Sequence, residues 1–209
     1  MKPDLILWDW DNTLMDTRPA AARALIETAA KSGAPAPTQQ DITDVIGSHL
    51  GQYWFDTYGD QAIEKIDLFL RLYQTHADMI TPYETAKPLL RWVQSKGIRQ
   101  IVTSNKNQEI IDAEADRFQL RPYFEKIVGV RHHENAKPSP AYARTALGLD
   151  WPAHMMVIGD GESDMQFARM IGAFGLFIRP DNRPVPFTYD AKVDDLRGVW
   201  QYLQKYFGV

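Results

Sequence analysis

The 209-residue chain contains no cysteine. Disulfides, thiolate nucleophiles and cysteine-based zinc sites are therefore excluded. An excess of basic charge is missing too: 23 Lys and Arg stand against 27 Asp and Glu, a formal net charge of -4. A nucleic-acid partner needs a basic footprint, so none is expected. No apolar stretch approaches the roughly 18 residues that cross a bilayer, so no membrane partner is expected. The first residues lack a basic segment followed by a long apolar run and a small-residue cleavage site, and the expected location is the cytoplasm. Repeats and low-complexity tracts are absent as well. What is present is a chain with 44% hydrophobic residues, enough for a packed interior rather than disorder. Its length suits one sizeable core, or a core with a small second domain.

The opening MKPDLILWDWDNTLMD sets an apolar run, Leu5 to Trp8, directly against Asp9 and Asp11. Residues 4–10 read as a strand. Further short apolar runs lie at 98–104, 126–130, 154–160 and 175–179, with a marginal one at 191–196. They are continuous rather than alternating, which fits strands covered on both faces of a parallel sheet. Helical patterns fill the gaps at 84–96, 107–118, 139–148 and 162–171, with Ser139-Pro140 as a start signal and Gly97 and Gly148 as stops. This alternation predicts an α/β doubly wound parallel sheet. One long interval after the first strand breaks the rhythm and reads as mostly helical, with a helix from about residue 18 to Lys31, one from Thr38 through Val45 and one over 61–79. It predicts a helical insertion.

Ligands of such sheets bind beyond the carboxyl ends of the strands. Asp9 and Asp11 follow the first strand, Thr103, Ser104 and Asn105 end the second, and Asp160, Glu162 and Asp164 follow the fourth. Lys137 lies in the loop after the third. Asp9, Asp11, Asp160 and Asp164 gathered at one edge repel each other, and a hard divalent cation resolves that crowding; Mg²⁺ prefers carboxylate oxygens, water and phosphate. The lysine and hydroxyls suit a phosphate, and the backbone after the first strand could cradle it. Asn12 fits that loop, because asparagine tolerates left-handed backbone. In this constellation Asp9 suits a nucleophile and Asp11 a proton donor.

The ordered set resembles the haloacid dehalogenase superfamily of phosphohydrolases. Asp9-Trp10-Asp11-Asn12-Thr13-Leu14 is similar to its first motif, DxDx[TV], and Ile101-Val102-Thr103-Ser104-Asn105 to the second. Lys137-Pro138 looks like the third, and Gly159-Asp160-Gly161-Glu162-Ser163-Asp164 like the fourth, GDxxxD. The resemblance implies a Rossmann-like core over 1–14 and 84–209 and an inserted α-helical cap over 15–83, as in phosphoglycolate-phosphatase-like members. It implies a Mg²⁺-dependent phosphatase acting on a small phosphorylated metabolite. Asp9 would become an aspartyl-phosphate, and Asp11 would serve as acid and then base. Asn12, Thr13, Thr103, Ser104, Asn105 and Lys137 would bind phosphate. Asp9, the Asp11 carbonyl, Asp160 and Asp164 would hold the metal.

The bland readings are strand-end acids, an ordinary loop lysine at 137 and helix-capping hydroxyls at 103 and 104; the four motifs together outweigh them. Glu162 reads as a helix-start acid rather than a ligand. His132-His133-Glu134 reads as a solvated loop, since adjacent histidines point apart. Arg18, Ser48 and His49 are candidate cap contacts with substrate, with a solvated position the alternative. Dehalogenase and phosphonate-cleaving members lack the second acid, so Asp11 favours phosphoryl transfer. The rival functions are a phosphomutase of the β-phosphoglucomutase type and a non-catalytic phosphate-binding protein. A monomer or a homodimer is expected.

Overall fold

The computed structural model describes residues 2–44, 46, 50–131, 136–149 and 151–207. The chain divides into two compact units, one of Met1–Met15 with Pro82–Val209 and one of Asp16–Thr81. The chain crosses between them twice, and the crossings, β2 (Met15–Asp16) and β3 (Thr81–Pro82), pair as a two-stranded ribbon.

The larger unit is built on a six-stranded sheet of β1 (Leu5–Trp8), β4 (Arg99–Asn107), β5 (Lys126–Val130), β6 (Met155–Gly159), β7 (Phe174–Ile178) and β8 (Ala191–Val193). The order is β5-β4-β1-β6-β7-β8 and every pairing is parallel. The continuous apolar runs are the consequence: all residues of β1 and β6 are buried. Successive side chains go to opposite faces. Leu5 and Leu7 join Val157, Tyr142 and Phe167 in one core cluster, under α7 (Pro140–Leu147) and α8 (Glu162–Met170). Trp8 and Gln100 serve the other face, toward α5 (Ala86–Ser95), which also meets α9 (Leu196–Phe207) through Trp92 and Trp200, ring centroids 5.7 Å apart. Helix α6 (Gln108–Arg117) flanks β4 and β5.

The predicted sheet and its helices are observed, with shifts at the ends. The second predicted strand runs on to Asn107, because a register shift between Thr103 and Asn107 lets it re-pair with Val130. The cap of α6 is therefore neither Thr103 nor Ser104 but Asn107, whose side chain accepts from the N–H groups of Glu109 and Ile110.

The smaller unit is helical: α1 (Arg18–Ser32), α2 (Gln39–Asp44), α3 (Leu50–Tyr58) and α4 (Ala62–Thr75). Helix α1 packs on α4, and its alanines allow close approach. It ends at Gly33 in the left-handed conformation, φ 67°. Thr38 and Asp41 form a reciprocal cap for α2: the Asp41 N–H donates to Thr38 Oγ1 at 3.1 Å and the Thr38 N–H to Asp41 Oδ2 at 2.7 Å. Trp54 on α3 lies 5.2 Å from Phe69 on α4 by ring centroids. Helix α3 was not foreseen, since its Tyr53-Trp54-Phe55 run carries strand propensity that tertiary packing overrides. The helix predicted over 61–79 stops at Thr75 and continues as a 3-10 turn, Ala77–Met79. No helix among the described residues is long and apolar enough to cross a membrane.

One buried polar side chain ties the sheet to α5. Gln100 is 2% exposed; its amide oxygen accepts from Trp8 Nε1 at 3.1 Å, and its amide nitrogen donates to Leu90 O at 3.0 Å and Tyr123 O at 3.2 Å. Replacing Gln100 with Leu would leave the buried Trp8 indole N–H without its acceptor and remove one donor each from Leu90 O and Tyr123 O. The expected loss is about 2–3 kcal/mol of stability in urea unfolding, and an unchanged midpoint would show that these bonds contribute nothing net.

Candidate active site

Register brings the strand ends together. Trp8 pairs with Val102 on one side and Ile158 on the other, so the next residue, Asp9, stands beside Thr103 and Gly159. The Asp9 N–H donates to Ile158 O at 2.8 Å, extending the sheet by one bond. Beyond it the chain turns sharply: the N–H groups of Leu14 and Met15 both donate to Trp10 O at 3.0 Å, and that of Asn12 donates to Met15 O at 2.7 Å. Asn12 has φ 59°, the left-handed backbone expected of it.

Lys137 is the hub. Its side chain is 1% exposed, and its ammonium donates to Asp9 Oδ1 at 2.9 Å, Thr103 O at 2.6 Å and Asp164 Oδ1 at 2.5 Å. Burial alone would lower the lysine pKa, but the charges of Asp164 and Asp9 outweigh it and hold the group above the usual lysine range. Asp9 shows the opposite balance. Burial first, then the charge of Asp164, push its carboxyl up to about 7, against the pull of Lys137. Asn105 holds the hub from behind: its Oδ1 accepts from the Lys137 N–H at 2.7 Å and its Nδ2 donates to Lys137 O at 3.3 Å. The structure thus places this residue's amide on the lysine backbone, a placement the expectation of a phosphate contact did not contain.

Asp164 sits in the first turn of α8, and Glu162, the expected helix-start acid, begins the same helix. Asp164 Oδ2 accepts from the Gly161 N–H at 3.0 Å, so one carboxylate caps its own helix and pairs with Lys137. Its approach to the backbone requires a glycine: a Cβ on Gly159 would lie 2.3 Å from Asp164 Cγ. Ligand oxygens from Asp9, Asp160 and Asp164 lie within 4.8 Å of one another. Three hard donors so close, against a single ammonium, fit a hard divalent cation such as Mg²⁺. Thr13 Oγ1 and Thr103 Oγ1 are buried hydroxyls without a hydrogen-bond partner among the described residues. Unspent buried donors suit the oxygens of an anion. Ser104 accepts the Lys106 N–H at its hydroxyl and the Tyr142 O–H at its carbonyl.

Asp11 has a partner that sequence reasoning missed. Lys106 Nζ lies 2.7 Å from Asp11 Oδ1 and 2.8 Å from Glu114 Oε1. The one signal available was Glu114 itself, an acid on the apolar stripe of α6 beside Ile111 and Ala115. Burial first pushes its carboxyl above the usual range, and Lys106 works against that shift. Trp10, one residue from Asp11, also binds it, donating from Nε1 to Glu114 Oε2 at 2.7 Å. Arg18 belongs to the smaller unit, where it begins α1 and is exposed. Ser48, His49 and His132-His133-Glu134 lie outside the described residues.

Comparison with known proteins gives concordant matches. The family described as haloacid dehalogenase-like hydrolase matches residues 6–177. A phosphoglycolate phosphatase of Pseudomonas syringae pv. tomato is 26% identical over 93% of this chain and 78% of its own. An N-acetylmuramic acid 6-phosphate phosphatase of Pseudomonas aeruginosa is 26% identical over 98% and 96%. A solved haloacid dehalogenase-like hydrolase from Streptococcus pneumoniae superposes with a TM-score of 0.79, 20% identical, over 97% of this chain and 99% of that one.

The buried Asp9 carboxyl has a consequence for stability. Its pKa rises on folding from 3.8 to about 7, so the folded state binds the proton more tightly. This group's contribution to stability is therefore full below about pH 3.8 and is lost as pH rises through about 7. In metal-free protein, Asp9→Asn is expected to melt above wild type, by a margin that widens from about pH 5 to about pH 8. A margin independent of pH in thermal melts would show that Asp9 is already ionised at the lower pH.

Proposed function

Because the chain belongs to the haloacid dehalogenase-like hydrolase family, we propose that it is a Mg²⁺-dependent phosphatase that hydrolyses a small phosphomonoester through an aspartyl-phosphate on Asp9. The observation that carries this reading is the Lys137 ammonium bound to both Asp9 and Asp164 where the central strands end. A nucleophilic carboxylate, a cation for phosphoryl oxygens and a cluster of metal-type donors meet there.

The residues divide the work as follows. Asp9 attacks phosphorus in line, and the ester oxygen departs with a proton from Asp11. Water then attacks the acyl phosphate and gives a proton to Asp11, which restores Asp9 and releases inorganic phosphate. Lys137 counters negative charge between the nucleophile and the phosphoryl oxygens. Thr103 and Thr13 offer hydroxyl donors to the same oxygens, with backbone N–H groups of the turn around Asn12. Asp9, the Asp11 carbonyl and Asp160 would hold Mg²⁺, with Asp164 binding directly or through water, and the ion would neutralise phosphoryl charge. The unit Asp16–Thr81 is the proposed cap, the part that selects the substrate. The relatives named above are called after phosphoglycolate and N-acetylmuramic acid 6-phosphate, both phosphomonoesters that also carry a carboxylate. Substrates of that class head the test.

The test is phosphate release from a panel of such esters, with 2-phosphoglycolate, N-acetylmuramic acid 6-phosphate and p-nitrophenyl phosphate included. Release is expected to need Mg²⁺, to stop with EDTA and to resume when Mg²⁺ is restored. Asp9→Asn is expected to lose at least about a thousandfold in kcat while keeping its circular dichroism spectrum. Activity retained in Asp9→Asn would falsify the covalent route. A requirement for a bisphosphate activator would turn the assignment to a mutase.

A further inference from the structure

Lys106 and Glu114 stand apart from the machinery above. Their side chains are 6% and 8% exposed, whereas that of Asp11 is 33% exposed. Two charges buried beside the apolar stripe of α6 are a poor choice for stability alone, since apolar residues of similar volume do as well or better. Their geometry indicates another use. Adjacent residues of the turn after β1 are tied to one carboxylate: Trp10 directly, through its indole N–H, and Asp11 through the Lys106 ammonium. Glu114 is fixed in turn by α6, whose start Asn107 caps.

We propose that Lys106, anchored by Glu114, is a positioning residue that holds the Asp11 carboxylate in one place for proton transfer. The proposal rests on the reading of Asp11 as acid and base. A half-open carboxylate on a short turn has several rotamers, and an acid must come within about 3 Å of the oxygen it protonates. The charge-assisted bond from Lys106 engages Oδ1 and leaves Oδ2 as the oxygen that carries the proton to the leaving group. Lys106 itself exchanges no proton with substrate.

The experiment compares kcat/KM for an alkyl phosphate and for p-nitrophenyl phosphate, because kcat/KM reports the steps through departure of the leaving group. Alkoxide leaves only with a proton, whereas p-nitrophenolate leaves without one. Lys106→Met is expected to cut kcat/KM about 100-fold for the alkyl ester and only about threefold for the aryl ester. The double variant Lys106→Met/Glu114→Gln, which removes both buried charges, is expected to show the same selectivity and keeps the test valid if the single variant folds poorly. Equal losses on both esters would overturn the proposal, as would a change confined to KM, which would make Lys106 a substrate-binding cation. Asp11→Asn is measured alongside. If it too hits both esters equally, the acid role of Asp11 fails; if it is selective and Lys106→Met is not, only the positioning role fails.

Discussion

Everything at the carboxyl edge of the sheet depends on where the Lys137 ammonium can be satisfied. It touches a group from each of the three central strand ends: Asp9 after β1, the Thr103 carbonyl in β4 and Asp164 after β6. An ammonium buried alone would cost several kcal/mol, and so would either carboxylate. Together they balance imperfectly, because Asp160 stands in the same group of acids and one lysine cannot neutralise three. The residual negative charge leaves the cluster with a donor set that suits a hard cation as well as an ion pair. Asn105 shows how far the chain goes to place this lysine, giving both polar atoms of its side chain to the Lys137 backbone.

The sheet order supplies the rest. β1 is flanked by β4 and β6, which the chain reaches by crossovers in opposite directions, so the three strand ends open at the point where a doubly wound sheet reverses. Gly159 then clears the space for Asp164, and the Asn12 turn carries Asp11 past the end of β1. The helical unit enters the chain between β1 and β4, directly after that turn. An insertion at that point interrupts none of the six strands, since both crossings lie outside them.

Much of this was legible in the order of the residues. LILW and MMVIG are continuous apolar runs because both faces of the sheet are covered, and that one property exposes the strands, their parallel pairing and the edge at which polar residues collect. The convergence of Asp9, Lys137, Asp160 and Asp164 follows from strand order. What was hidden depends on contacts across long separations with no periodic trace. Nothing in the run TSNKN says that Asn105 serves the lysine 32 positions later or that Lys106 reaches back to Asp11. Strands of two residues, as in the ribbon of β2 and β3, are too short to show a period. Helix α3 is a case of aromatic residues whose intrinsic preference is overruled by packing on α4.

The outer strand β8 has a further consequence. It is only three residues long, all half-exposed, and its middle residue is Lys192, whose ammonium donates to Asn182 at 3.0 Å. A row of unpaired backbone groups at a sheet margin is a template on which another chain can add a strand. Here the row is too short to align a partner and carries a charge at its centre. At the opposite margin β5 begins with exposed Lys126. Parallel sheets assemble slowly and expose their margins to misassociation meanwhile, and a charge on each outer strand is a feature that disfavours pairing with another chain there.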